Sequence, residues 1–409
     1  MGKITQYLDS EDFFNLRLSC LVVRSRTEPA FLRRYFWVRE HLLTRPGLQA
    51  LLDIATHPKL GRVIRAIIIN PRTISDENLD IDHPAIVQHF AQCDEIYPTG
   101  IMIFFLREAL VSAIGCDTFI MDDISPENSW GRASLERATG QPATCSWDAL
   151  IERNEYLGLA QRHAMYALMD SGRTICALGL NPALPTTAFE FYDEEALRLG
   201  NSNWVTMLED LQMKLFVAYP TFRINHITNF VNMFVRLQHL RLACNPFGYG
   251  LLDEDASPDS QVAKFRDLAR DVELPCLQSL KLEGFKCVPA DLMVLLYQHR
   301  VTLTQVFLHR IGLSGSTGLS WQWVLGGIRQ ELQVQRLCLD HCAIVRPPRF
   351  FSNHMTYHGG TPIYFHDATR LSYDIEVIVT TNGSLNRLRQ WLKEGFMLEH
   401  VHNPHITVS

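Results

Sequence analysis

No apolar run in this chain of 409 residues is long enough to cross a membrane. The most apolar stretch, Ile101 to Leu106, ends at Arg107 and Glu108, whereas a helical span takes about 20 residues. Positive charge is also in short supply. Lys and Arg number 38 against 44 Asp and Glu, for a formal net charge of −6. A protein that tracks nucleic-acid phosphates uses the opposite balance, so no nucleic-acid partner is expected. Ten cysteines, unevenly spread, are too few for a disulfide framework and read as reduced, mostly buried thiols. Met1 to Asp9 holds no secretory apolar region, and Gln6 stands where a myristoylation motif places Ser or Thr. The expected setting is therefore soluble and intracellular, cytoplasmic or nuclear, with no membrane partner. The sequence also contains no G-x-S-x-G, G-x-x-x-x-G-K-[ST], H-E-x-x-H or G-x-G-x-x-G. Neither catalysis nor a cofactor is expected.

What is present is an ordinary globular composition, 47% apolar and 20% charged, whose pattern changes along the chain. Residues 1–45 read as helical. Asp9 can cap a helix with Glu11 and Asp12 in its first turn, and Phe13, Phe14, Leu16, Leu18, Leu21 and Val22 follow as a broad apolar surface. Pro29 suits a first helical position, so a second helix is expected from about Glu28, with Phe31, Leu32, Tyr35 and Phe36 at helical spacing. Residues 46–71 form one helix-and-strand unit. Leu48, Leu51, Leu52 and Ala55 suggest a helix ended by His57-Pro58, and the β-branched run Val63 to Ile69 suggests a strand. Residues 72–230 read as mainly helical, near 84–91, 101–114, 147–170 and 204–218, with no repeat period.

From 231 to 345 a repeat emerges. Leu237-x-x-Leu240-x-Leu242-x-x-Asn245 fits a leucine-rich template, and Leu277-x-x-Leu280-x-Leu282, Leu303-x-x-Val306-x-Leu308 and Val334-x-x-Leu337-x-Leu339-x-x-Cys342 follow it. Corresponding positions lie 40, 26 and 31 residues apart (240 to 280 to 306 to 337), so the array is irregular. Helices expected from Pro289 to Leu296 and after Ser320 to Ile328 separate the strands. Alternate leucines would face a core, leaving Gln278, Lys281, Gln305, His309 and Arg336 outward. Residues 346–409 contain an expected strand at 375–380, a turn at Asn382-Gly383 and a helix from Ser384 to Lys393, suited to capping an array.

Metal-binding patterns are weak. Cys338-x3-Cys342-x11-His354-x3-His358 approaches zinc-finger spacing, but Cys338 lies in a strand and Cys342 already fills the turn position. His400, His402 and His405 read as solvated, as does the acidic group Asp253, Glu254, Asp255 and Asp259, which lacks EF-hand spacing. No metal is expected. Trp321 and Trp323, two apart on a helix, cannot share one narrow face; one belongs in the core and the other can reach an interface.

Ile4 to Cys20, Ile-Thr-Gln-Tyr-Leu-Asp-Ser-Glu-Asp-Phe-Phe-Asn-Leu-Arg-Leu-Ser-Cys, resembles the second half of an F-box, and Glu28-Pro29-Ala30-Phe31-Leu32-Arg33-Arg34 resembles its usual continuation. The following helix and strand are similar to those of many filamentous-fungal F-box proteins, which commonly carry irregular leucine-rich repeats. The resemblance implies an α/β fold: a short all-α F-box-like N-terminus followed by an irregular leucine-rich-repeat-like α/β solenoid. It implies a substrate-recognition subunit of a Skp–cullin–F-box ubiquitin ligase, with a Skp-type adaptor, a cullin scaffold and an unidentified protein substrate as partners. Ile4, Leu8, Phe13, Leu16 and Leu18 match the remaining apolar motif positions and would contact the adaptor. Ser10 replaces a frequent proline. The opening L-P-x-E-I-L half has no counterpart before Lys3, which implies either a truncated gene model or decayed adaptor binding. A repeat-based interaction protein without ligase docking, or an enzyme with its site in 72–230 or 346–409, are the competing readings.

Overall fold

The computed structural model describes residues 8–71, 100–122, 154–184, 202–215, 224–244, 258–314, 321–340, 342–345 and 363–365, with isolated helical positions at 84, 87, 136 and 137. The chain divides into two compact units, Met1–Gln212 and Met213–Ser409. Both are mixed α/β with parallel strands.

The first unit opens with a helical hairpin, α1 (Ser10–Ser19) and α2 (Leu21–Phe36). Asp9 caps α1 as its sequence suggests, its carboxylate accepting the Asp12 N–H at 2.8 Å. Helix α2 begins earlier than Pro29 predicts. Cys20 is its N-cap, and Pro29 sits inside the helix. Proline removes one N–H from the ladder there, and contacts with α1 carry the helix past it. The Arg17 guanidinium is the clamp. It donates to Thr27 Oγ1 at 3.2 Å and to Glu28 Oε2 at 2.8 Å, and lies 3.9 Å from the centre of the Phe31 ring.

Four parallel strands follow: β1 (Val38–Leu42), β2 (Ala66–Asn70), β3 (Thr118–Met121) and β4 (Ala177–Leu184). They pair in sequence order, with Val38, Ala66, Thr118 and Ala177 as successive partners. The crossovers contain α3 (Arg45–Thr56), α4 (Ile101–Ser112) and α5 (Asn154–Ser171), and each packs on the next. Thr44 caps α3 by accepting the Gly47 N–H, and Pro46 occupies its first turn. Strand β1 corrects the reading of residues 1–45 as helical, and β3 and β4 add strands between the helices expected in 72–230. The expected helix 204–218 is also replaced, by α6 (Asn203–Met207) and β5 (Asp210–Leu215). Leu211, Met213 and Leu215 are buried with period two; strong helix formers there mask a strand alternation.

In the second unit α7 (Ile224–Asn232) precedes β6 (His239–Cys244), α8 (Pro258–Asp271) precedes β7 (Ser279–Glu283), and a short β8 (Lys286–Cys287) leads into α9 (Pro289–Gln298). The cycle recurs as β9 (Gln305–His309), β10 (Gly312–Ser314), α10 (Trp321–Glu331), β11 (Arg336–Asp340) and β12 (Ala343–Val345). Strands β6, β7, β9 and β11 are parallel, and Leu240, Leu280, Val306 and Leu337 are direct partners, the alignment read from sequence. Strands β8, β10 and β12 form a second parallel ladder. Helices α7 to α10 pack each on the next. A strand not foreseen, β13 (Ile363–Phe365), pairs antiparallel with β11. The strand expected at 375–380 and the helix at 384–393 lie outside the described residues, as do most of 84–91 and the start of 147–170.

Burial alternates along these strands. Leu240, Leu242, Leu280, Leu282, Val306 and Leu308 are buried, while Arg241, Lys281, Glu283, Phe307 and His309 are only half-buried. A parallel sheet in a doubly wound domain is covered on both faces. Here one face of the ladder stays accessible.

Candidate functional site

Two surfaces stand out. The first lies on α1 and α2. Phe13, expected among the adaptor contacts, is fully buried, its ring centroid 6.4 Å from that of Phe31 and 6.1 Å from that of Tyr35, so it belongs to the hairpin's own core. The neighbouring Phe14 is 44% exposed. Leu18, Leu21 and Val22 are 81%, 80% and 60% exposed. Leu8 and Leu16 are half-buried, and Ile4 lies outside the described residues. Four large apolar side chains on one short hairpin leave more apolar surface in water than isolated surface residues do. The sequence groups Leu21 and Val22 with the apolar surface of the first helix; the structure places them in the first turn of α2.

The second surface is the accessible face of β6, β7, β9 and β11. Ala243, Glu283, His309 and Asp340 are register-matched at its C-terminal edge. His309 bridges two carboxylates: Nδ1 lies 3.2 Å from Glu283 Oε1, and Nε2 lies 3.2 Å from Asp340 Oδ2. Glu283 Oε2 also accepts from Arg241 Nη2 at 3.3 Å. The two carboxylates hold opposite edges of the imidazole, so they cannot converge with it on one ion. Among the described residues, no group of three or more His, Cys, Asp and Glu is placed to hold a metal. One row away, Arg241 and Lys281 are cross-strand partners. Burial lowers the affinity of the Lys281 amine for its proton, and the Arg241 charge adds to this.

Of the residues expected to face outward, Gln278 and Arg336 are exposed, while Lys281, Gln305 and His309 are half-buried. Trp321 is buried and Trp323 is 43% exposed. Cys338 is buried in β11. The Cys342 thiol turns inward to donate to the Leu308 carbonyl at 3.3 Å, and burial pushes it up to about 12. Burial likewise pushes Cys116 up to about 11. Thiols held protonated in this way are poor nucleophiles and poor metal ligands. His354, His358, His400, His402, His405, Asn245, Asp253, Glu254 and Asp255 lie outside the described residues, and Asp259 falls within α8. His299 is structural. Its Nε2 accepts the Leu274 N–H at 3.1 Å and its Nδ1 lies 2.8 Å from the Leu295 carbonyl, tying α9 to the segment after α8.

No helix among the described residues is long and apolar enough to cross a membrane. The chain matches no known family model, and no curated protein matches it.

Proposed function

We propose that this chain is a non-enzymatic substrate receptor of a Skp–cullin–F-box ubiquitin ligase. The hairpin α1–α2 acts as the F-box-like element that docks a Skp-type adaptor and, through it, a cullin scaffold. The second unit acts as an irregular leucine-rich-repeat-like solenoid whose open sheet face holds the protein to be ubiquitinated. Holding a target near the ligase raises its effective concentration and asks no catalytic group of the receptor.

The observation that carries this reading is the exposed apolar set Phe14, Leu18, Leu21 and Val22 on a hairpin that already has its own core in Phe13, Phe31 and Tyr35. Interface anchors are large side chains left in water until a partner covers them. The recurring strand, short strand and helix of the second unit support the solenoid, because the strands and helices of each cycle pack on those of the next.

The test is capture of the full chain by an immobilised adaptor–cullin assembly. The parent chain should be retained, and Leu18→Asp or Leu21→Asp should abolish retention while leaving the circular dichroism spectrum unchanged. Retention of both variants at the parent level would remove the hairpin from the interface, and failure of a folded parent to bind would overturn ligase docking.

A further inference from the structure

The accessible face of the second unit carries an unbalanced pair of charges. Arg241 on β6 and Lys281 on β7 are direct cross-strand partners, and like charges so placed oppose the pairing of their strands. The carboxylates nearby do not relieve them fully. Glu283 is shared between one arm of Arg241 and the His309 ring, and Asp340 is turned to the other nitrogen of that ring. Among the described residues, no carboxylate reaches ion-pair distance of the Lys281 ammonium, although the side chain is half-buried. Arg241 Nε is buried without an acceptor among the described residues. The half-buried Phe307 ring continues the row beside Lys281.

We propose that this face docks an acidic peptide segment of a partner protein, with the partner's carboxylates set against Arg241 and Lys281. Such an occupant sets its carboxylates against the part-exposed Arg241 guanidinium and gives the Lys281 ammonium an acceptor it lacks, and charge-assisted bonds of this kind are short and directional. The adjoining Glu283–His309–Asp340 row explains why a peptide fits better than a nucleic acid. A polymer charged at every step would run along that negative edge, whereas a peptide places its carboxylates selectively. The inference rests on the second unit being the target-binding surface of the proposed receptor.

Fluorescence anisotropy with a fluorescein-labelled peptide of alternating glutamate and serine tests it on the full chain at low salt. The peptide should bind, weaken as salt rises, and lose about tenfold or more in affinity with Lys281→Glu or Arg241→Glu. Lys59→Glu, an exposed reversal in the first unit, should leave binding unchanged. Lys281→Met should weaken binding while raising Tm, because it removes the repulsion with Arg241; a lysine with a purely structural role would not show that pairing of effects. No binding by the parent, equal affinity for Lys281→Glu and Lys59→Glu, or tighter binding of single-stranded oligouridylate than of the peptide would overturn the inference. Adaptor capture is measured on the same preparations. Loss of peptide binding with adaptor capture intact counts against the acidic occupant alone. Absent adaptor capture with peptide binding intact counts against ligase docking alone.

Discussion

Arg310 adopts a left-handed backbone conformation, φ 53°, at the corner between β9 and β10. Gly284 turns the equivalent corner between β7 and β8 with φ 78°. The hydrogen bonds repeat as well: Gly284 N–H donates to the His309 carbonyl, and Arg310 N–H to the Asp340 carbonyl. A side chain in this region costs about 1 kcal/mol. Arg310→Gly should therefore stabilise the protein by about 0.5–1 kcal/mol, and Gly284→Ala should destabilise it by about 1 kcal/mol, both read from urea midpoints. His41 supplies a pH dependence. Burial, assisted by the nearby Arg39 charge, holds its imidazole down to about 3 from an ordinary 6.5. Below pH 6.5 the unfolded chain takes up a proton that the folded chain refuses. The stability is thus intact above pH 6.5 and lost progressively as pH falls toward 3. From pH 7 to pH 5 the loss is about 2 kcal/mol. His41→Gln should flatten that slope in denaturant titrations at the two pH values. Some slope should persist, because burial shifts His163 and His299 in the same direction. A slope unchanged by the substitution would mean that His41 is not held neutral.

The hairpin α1–α2 depends on one buried cation. Arg17 is 8% exposed and joins the two helices through Thr27, Glu28 and the face of Phe31. Arg17→Met should keep the stem's packing but remove the charge-assisted bonds, destabilising the protein by about 2 kcal/mol in chemical denaturation. A loss near zero would mean that the aromatic contacts hold the hairpin unaided. The cap at Asp9, helix α3 and the strand from Ala66 were legible because their signals are local: a capping carboxylate, a helical leucine period, a β-branched run. The start of α2 was not legible, because Pro29 is an ordinary first-turn residue by local rules and only packing against α1 extends the helix past it. Strand β5 was missed for the opposite reason, since Leu, Gln, Met and Lys favour helix while their burial alternates. Of the expected docking residues, Leu18 is exposed and Phe13 is not. Sequence identifies both as apolar but cannot say which one the hairpin keeps for itself.

At the scale of the molecule, strands follow sequence order within each unit, and successive helices pack on one another. The irregular spacing of 40, 26 and 31 residues between these strand positions did not hide the register of Leu240, Leu280, Val306 and Leu337, because each strand carries its own alternating leucines. Charges on the accessible face had no comparable periodicity, so the Glu283–His309–Asp340 row became visible only once the strands were aligned. The receptor reading joins an apolar docking hairpin to an open sheet face, and the hairpin is where it is most exposed to refutation. The most direct measurement is calorimetric titration of the purified full chain with a purified Skp-type adaptor, repeated with Leu18→Asp and with Arg336→Glu as a surface control. The account predicts measurable binding that Leu18→Asp weakens about 30-fold or more, as loss of an interface anchor does, and that Arg336→Glu leaves unchanged. No heat of binding from a folded parent, or equal affinity for the parent and Leu18→Asp, would contradict it.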